Sequence, residues 1–133
     1  MLREQLHTTD FSVVTRMYDA VERGDMDALR GCFVPDARVW HNDDEIELDI
    51  DAVVALIGHL CAVSTSRAYQ DRRLTTVGTQ AFLQHTLTAA LRSGRRLRLP
   101  AIMRVEVNRD GLLQRMEEYF DSRALACLAE EVP

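Results

Sequence analysis

The hydrophobic period of this chain changes at Ser64, and that change restricts the fold more than any other feature. Before it, Val14, Met17, Tyr18 and Val21 recur at helical spacing, and Val53, Val54, Ile57, Leu60 and Cys61 do so again. After it, β-branched and alternating residues run near 68–77, 80–91, 95–107 and 112–121. Helices first and a strand meander afterwards predict an α+β domain, a cone-shaped roll with three N-terminal helices packed on a curved, mostly antiparallel sheet.

Local signals set the expected boundaries. Asp10 can cap the first helix, and Gly24 stands where its C-terminus wants a left-handed residue. Asp25 can cap a second, shorter helix that buries Met26, Leu29 and Cys32 before Pro35 stops it. Residues 37–41 read as a short strand, the run Asn42, Asp43, Asp44, Glu45 as a loop, and a third helix starts near Asp51. Ser93-Gly94 and residues 108–111 are hairpin turns between the last three strands, and 122–128 reads as a short helix or extension over the sheet.

At 133 residues the chain is expected to form one domain, residues 1–133, because two cores would each be undersized. A hydrophobic content of 47%, a charged content of 28% and a net charge of -5 fit a water-soluble protein and weigh against nucleic acid and membrane as partners. Met1 to Leu6 is too polar for a secretory signal and no apolar run reaches the ~20 residues of a membrane span, so the expected location is cytoplasmic. Cys32, Cys61 and Cys127, far apart with apolar neighbours, read as reduced core thiols. His7 and His59 read as surface residues, and the arginines 92, 95, 96 and 98 as a solvated arm. The acidic run from Asp43 to Asp49 lacks the glycine and spacing of a calcium loop, so no metal is expected.

Chemistry concentrates at two strand ends. Trp40 and His41 end the first strand, and Tyr119, Phe120 and Asp121 end the last. A histidine titrates near neutrality, so His41 is the candidate acid/base, with Asp121 as the carboxylate that orients it. Trp40 and Tyr119 are candidates for stacking on a ligand. On the strand 80–91 the positions Leu83, His85, Leu87 and Leu91 share one face, which makes His85 a candidate on the more apolar side. In the last strand Leu112, Met116 and Phe120 share one face and Glu117, Tyr119 and Asp121 the other.

The stretches 23–29 and 33–41, the Asp110-Gly111 turn and the run 118–121 resemble the nuclear transport factor 2-like superfamily, within it the SnoaL-like and ketosteroid isomerase-like branch, over residues 13–128. The resemblance implies a cone around an apolar pocket, a small apolar ligand, acid/base chemistry without a cofactor, and a homodimer formed through the sheet. Matched without gaps, the isomerase base falls on His41, its oxyanion tyrosine on Met17 beside Tyr18, and its protonated aspartate on Met103. Methionine donates no hydrogen bond, so steroid isomerisation by that pair is not implied, and Met17, Tyr18 and Met103 become candidates for lining the pocket. The limonene epoxide hydrolase-like branch shares Tyr119-Phe120-Asp121 and aligns a Tyr-x-Asn with Trp40-His41-Asn42, but its arginine and second aspartate fall on His85 and Leu87. The reading left is an isomerase, cyclase or hydrolase type of reaction on a cyclic apolar metabolite, with a non-catalytic binding or association module as the alternative.

Overall fold

A computed structural model describes residues 8–133; His7 and the Met1 to Leu6 segment lie outside the described residues. Helix α1 (Ser12–Arg23) and helix α2 (Met26–Arg30) lead into strand β1 (Phe33–His41). A two-residue strand β2 (Glu47–Leu48) precedes helix α3 (Ile50–Val63), and four long strands follow: β3 (Ser64–Val77), β4 (Gln80–Leu91), β5 (Arg96–Val107) and β6 (Leu113–Phe120). A 3-10 turn at Ser122–Leu125 and helix α4 (Ala126–Ala129) come after them. The architecture is α+β, with helices packed against a mostly antiparallel six-stranded sheet of order β2-β1-β6-β5-β4-β3.

Most expected boundaries hold to within a few residues, and the exceptions have local causes. Helix α1 buries Val13, Val14, Met17, Tyr18, Ala20 and Val21 on one stripe and ends at Gly24, whose φ of 73° needs no side chain in the way. Asp10 binds the Ser12 amide at 2.8 Å, one position before the cap that was assigned to it. Asp25 caps α2 as expected, through the Ala28 amide at 2.9 Å, but Pro35 does not end that helix. The helix stops at Arg30, and Pro35 sits inside β1, where pairing with β6 slips between Phe33 and Arg38. A residue without an N–H is tolerated where the ladder is already broken, so β1 runs four residues longer than the sequence suggested. Helix α3 is capped by Asp49 rather than started at Asp51, again through a carboxylate on the third residue's amide, 2.9 Å away.

The central pairing is one that turn signals do not announce. Strands β1 and β6 lie side by side in parallel, so Trp40 stands against Glu117 and His41 against Glu118. Beyond their last rung, Asn42 continues the ladder with its side chain: its Nδ2 donates to the Phe120 carbonyl and its Oδ1 accepts from the Phe120 amide, both at 3.0 Å. Alternation along β4 holds as read, with Ala81, Leu83, His85, Leu87, Ala89 and Leu91 inward. The core divides into a larger cluster under α1 and a smaller one between α3, β4, β5 and the C-terminal turn, and Tyr69 touches both. The three cysteines are free thiols; burial pushes Cys32 and Cys61 above their ordinary pKa. His59 is half-buried on α3 rather than at the open surface.

Candidate functional site

Between the sheet, α3 and the C-terminal turn lies a half-open cavity of about 360 Å³. Leu60, Leu87, Leu97 and Leu99 form its deep wall, Leu48 and Ile57 one flank, and Leu125 and Leu128 the cover. His41, Glu118 and Tyr69 supply its polar end, with Asp43 and Asp44 near the rim. A larger cleft of about 510 Å³ runs outside between Arg30, Pro35 and Asp51. Its Arg30 is tied to Asp51 at 2.7 Å, both half or more exposed, and it brings no histidine or tyrosine together, so the smaller cavity holds the chemistry.

Parallel pairing of β1 with β6 sets His41 Nε2 at 3.2 Å from Glu118 Oε1. The other carboxylate oxygen faces His85 Nε2 at 3.8 Å, beyond hydrogen-bond length, and behind that ring the Tyr18 hydroxyl lies 2.8 Å from His85 Nδ1. Tyr18, His85, Glu118 and His41 thus form one chain from the helix layer to the cavity. Burial raises the Tyr18 phenol well above its ordinary value, so it is neutral and donates to Nδ1. His85 then carries its proton on Nε2, pointed at the carboxylate; the other tautomer would set two lone pairs face to face. His85 Nε2 is the one sealed polar side-chain atom without a hydrogen-bond partner among the described residues.

Burial alone would raise Glu118, but the bond from His41, with His85 Nε2 facing the other oxygen at 3.8 Å, outweighs it and brings the carboxyl down to about 2. Burial alone would lower His41, but the bond to Glu118 and its charge, with Asp43 and Asp44 behind, leave it above its ordinary value. The carboxylate therefore favours the protonated form of His41 more than water does. Tyr69 packs its ring 4.8 Å from His85 and 4.6 Å from Tyr18. Burial first, then the charge of Glu118, keeps that phenol protonated far past neutrality.

The structure separates the residues singled out in the sequence into three places. His41 lines the cavity. His85, Tyr18, Met17 and Met103 are buried behind it, the two histidine-chain members as support and the methionines as core packing, so none of the four walls the cavity. Trp40 and Tyr119 lie on the opposite, outer face, ring against ring at 5.3 Å, with Tyr119 half exposed. Asp121 is also outside: it caps the 3-10 turn through the Arg123 amide and pairs with the Arg123 guanidinium at 2.8 Å. The carboxylate that meets His41 is Glu118 instead. Its signal was present, since Met116, Glu118 and Phe120 share one parity and a lone charge on an otherwise apolar face asks for a partner. Tyr69 carried no comparable signal.

A family model described as SnoaL-like domain matches residues 14–116. No curated protein is significantly similar in sequence. Among solved structures, a nuclear transport factor 2-like protein of unknown function from Burkholderia pseudomallei superposes with a TM-score of 0.76 at 19% identity, covering 93% of this chain and 99% of its own. A candidate polyketide cyclase from Xanthomonas campestris gives 0.75 at 17%, covering 90% and 95%. A protein of ketosteroid isomerase-like fold from Catenulispora acidiphila, bound to trimethylamine, gives 0.75 at 10%, covering 91% and 93%. At these identities the likeness establishes the fold.

Proposed function

We propose that this chain, which belongs to the SnoaL-like domain family, is a cofactor-free enzyme that moves a proton on a small, cyclic, mostly apolar metabolite. The observation that carries the reading is the 3.2 Å contact of His41 with Glu118 at the polar end of an apolar cavity. A carboxyl held near 2 is a poor proton acceptor, so Glu118 orients and His41 reacts. With Nε2–H given to Glu118, neutral His41 keeps its lone pair on Nδ1. That nitrogen takes a proton from a carbon next to a carbonyl, the electron pair passes to the carbonyl oxygen, and the imidazolium so formed rests on Glu118 until it returns the proton. Leucine walls surround the pair with apolar surface, which strengthens its electrostatics.

Deuterium uptake tests this directly. Enolisable ring ketones incubated with the protein in heavy water should gain deuterium at the acidic carbon, and His41→Gln should cut the rate by ~100-fold or more. An unchanged rate in His41→Gln removes that residue from the chemistry. The second reading, a binding module without turnover, is favoured by Met17 and Met103, which lie in the core where the isomerase branch carries polar donors. Ligand-induced thermal shifts with no uptake in wild type would select it.

The outer sheet face, with Phe82, Ile102 and Tyr119 each about two-fifths to a half exposed, suits a second copy of the chain. Light scattering on wild type and Ile102→Arg tests the dimer: a single mass at the monomer value for both rejects it.

A further inference from the structure

The cavity walls differ from what a flat, polyhydroxylated aromatic ligand would need. Leu60, Leu87, Leu97 and Leu99 present branched aliphatic surface, and the two aromatic rings that reach the cavity are already engaged. Phe120 stands at 67° against His41, and Tyr69 packs on Tyr18 and His85, so no two parallel faces are available to sandwich a planar ring. At about 360 Å³ the space takes one or two fused rings with room to spare.

Charge narrows the choice further. No arginine or lysine is among the described residues that line the cavity, while Glu118, Asp43 and Asp44 are. An anionic ligand would leave its charge unpaired there. A cationic head group near Glu118 would meet His41, which already occupies the carboxylate. One donor is left over: the Tyr69 hydroxyl has no hydrogen-bond partner among the described residues, and it is not sealed away, since the only such sealed atom belongs to His85. A phenol kept neutral by burial donates.

We infer that the ligand of this cavity is a small, uncharged, aliphatic ring system whose hydrogen-bond-accepting oxygen sits on the Tyr69 hydroxyl. The inference rests on the same cavity as the proposed function but needs no turnover. Tyr69 selects the ligand, whereas His41 would act on it.

Calorimetry on the intact chain with five probes of one carbon skeleton tests it: 2-decalone, decalin, 2-naphthol, decahydro-2-naphthoic acid and decahydro-2-naphthylamine. The decalone should bind at least ~10-fold tighter than the acid, whose charge would be buried unpaired, or the amine, which His41 keeps from Glu118, and tighter than the flat naphthol. Tyr69→Phe should weaken decalone ~3- to 10-fold, one hydrogen bond's worth, and leave decalin unchanged. Leu99→Phe, which narrows the space without touching Tyr69, should weaken decalone and decalin alike. Equal or tighter binding of naphthol or of either charged probe overturns the inference. So do failure of decalone to bind, equal losses for decalone and decalin in Tyr69→Phe, and decalone binding untouched by Leu99→Phe. Binding as described with no deuterium uptake would sink the enzymatic reading and leave the ligand class standing. Uptake accompanied by a preference for aromatic rings would do the reverse.

Discussion

Glu117 and Glu118 are neighbours in one strand, both brought down to about 2, and they reach that state by opposite means. Glu117 points to the outer face, where Arg104 Nε and Arg115 Nε grip it at 2.9 and 2.8 Å and the network continues to Glu106 and Glu47. Its partners are arginines, charged at every pH a protein survives. Glu118 points inward and is held by His41, an imidazole that can change charge near neutrality, with His85 Nε2 facing its other oxygen at 3.8 Å. One residue's step along β6 therefore separates a fixed ionic ladder from a pair whose proton can move. Depressed acidity alone does not mark a reactive carboxylate; the partner's own titration does.

Exchanging each glutamate for glutamine tests that contrast most strongly. Glu118→Gln removes the negative charge that raises His41, so the His41 ring should titrate lower by NMR. Deuterium uptake should fall ~100-fold or more, and unfolding free energy should drop about 1.5 to 3 kcal/mol, as for a lost bond to a charged group. Glu117→Gln should cost under about 1 kcal/mol, as for partly exposed pairs, and leave uptake intact. Comparable losses of uptake in the two variants would erase the distinction.

The two regions should also part with pH. His41 is raised above 6.5, so its contribution to stability is complete below pH 6.5 and is lost as pH climbs through its folded value. Glu118 is depressed from 4.5 to about 2, so its contribution is present above pH 4.5 and lost as pH falls toward 2. The inner pair is thus strongest between about pH 4.5 and 6.5. Glu117 shares the acid limit but its arginines impose no limit near neutrality. Urea midpoints measured at pH 6 and pH 9 should show a loss on the order of 1 kcal/mol in wild type, and His41→Gln should flatten it. If His41→Gln keeps the full slope, another group carries the titration.

A smaller effect is expected where the inner pair is merely positioned. Asn42 closes β1 onto β6 through two 3.0 Å bonds to Phe120, one residue past His41 and two past Glu118. Asn42→Ala should cost about 1 to 2 kcal/mol and broaden the His41 titration rather than abolish uptake. A stability loss with an unchanged His41 titration would make Asn42 a strand clamp with no bearing on the pair.

What could be read beforehand follows the range of the interactions involved. Hairpins joined by Ser93-Gly94 and residues 108–111, the Asp25 cap and the inward parity of His85 all rest on contacts a few residues apart, and each holds. Register between His41 and Glu118 joins residues 77 positions apart by a parallel pairing with no turn to announce it. Parity sets Glu117, Tyr119 and Asp121 on one face and Leu112, Met116 and Phe120 on the other, but a register shift at the start of β6 buries Leu113 in place of Leu112. Alternation alone does not tell which face meets the helices. Phe120 and Met116 were the better guide, because apolar residues mark the enclosed side.

Asp121 supplies the last and smallest test of the contrast. It resembles Glu117 in kind, an outward carboxylate lowered by the side chain and amide of Arg123, and Arg123 is almost wholly exposed. Screening by water and salt leaves little of such a pair, and the capping bond to the Arg123 amide survives in an amide side chain. Asp121→Asn should therefore leave deuterium uptake and the His41 titration at wild-type values, with at most a slight loosening of the turn that carries Leu125 over the cavity. That loosening would show as faster hydrogen exchange at 122–128 and as faster ligand dissociation at unchanged chemistry. A fall in uptake matching that of Glu118→Gln would instead mean that Asp121 swings inward in solution, and the division of β6 into a fixed outer ladder and a titrating inner pair would fail at its end.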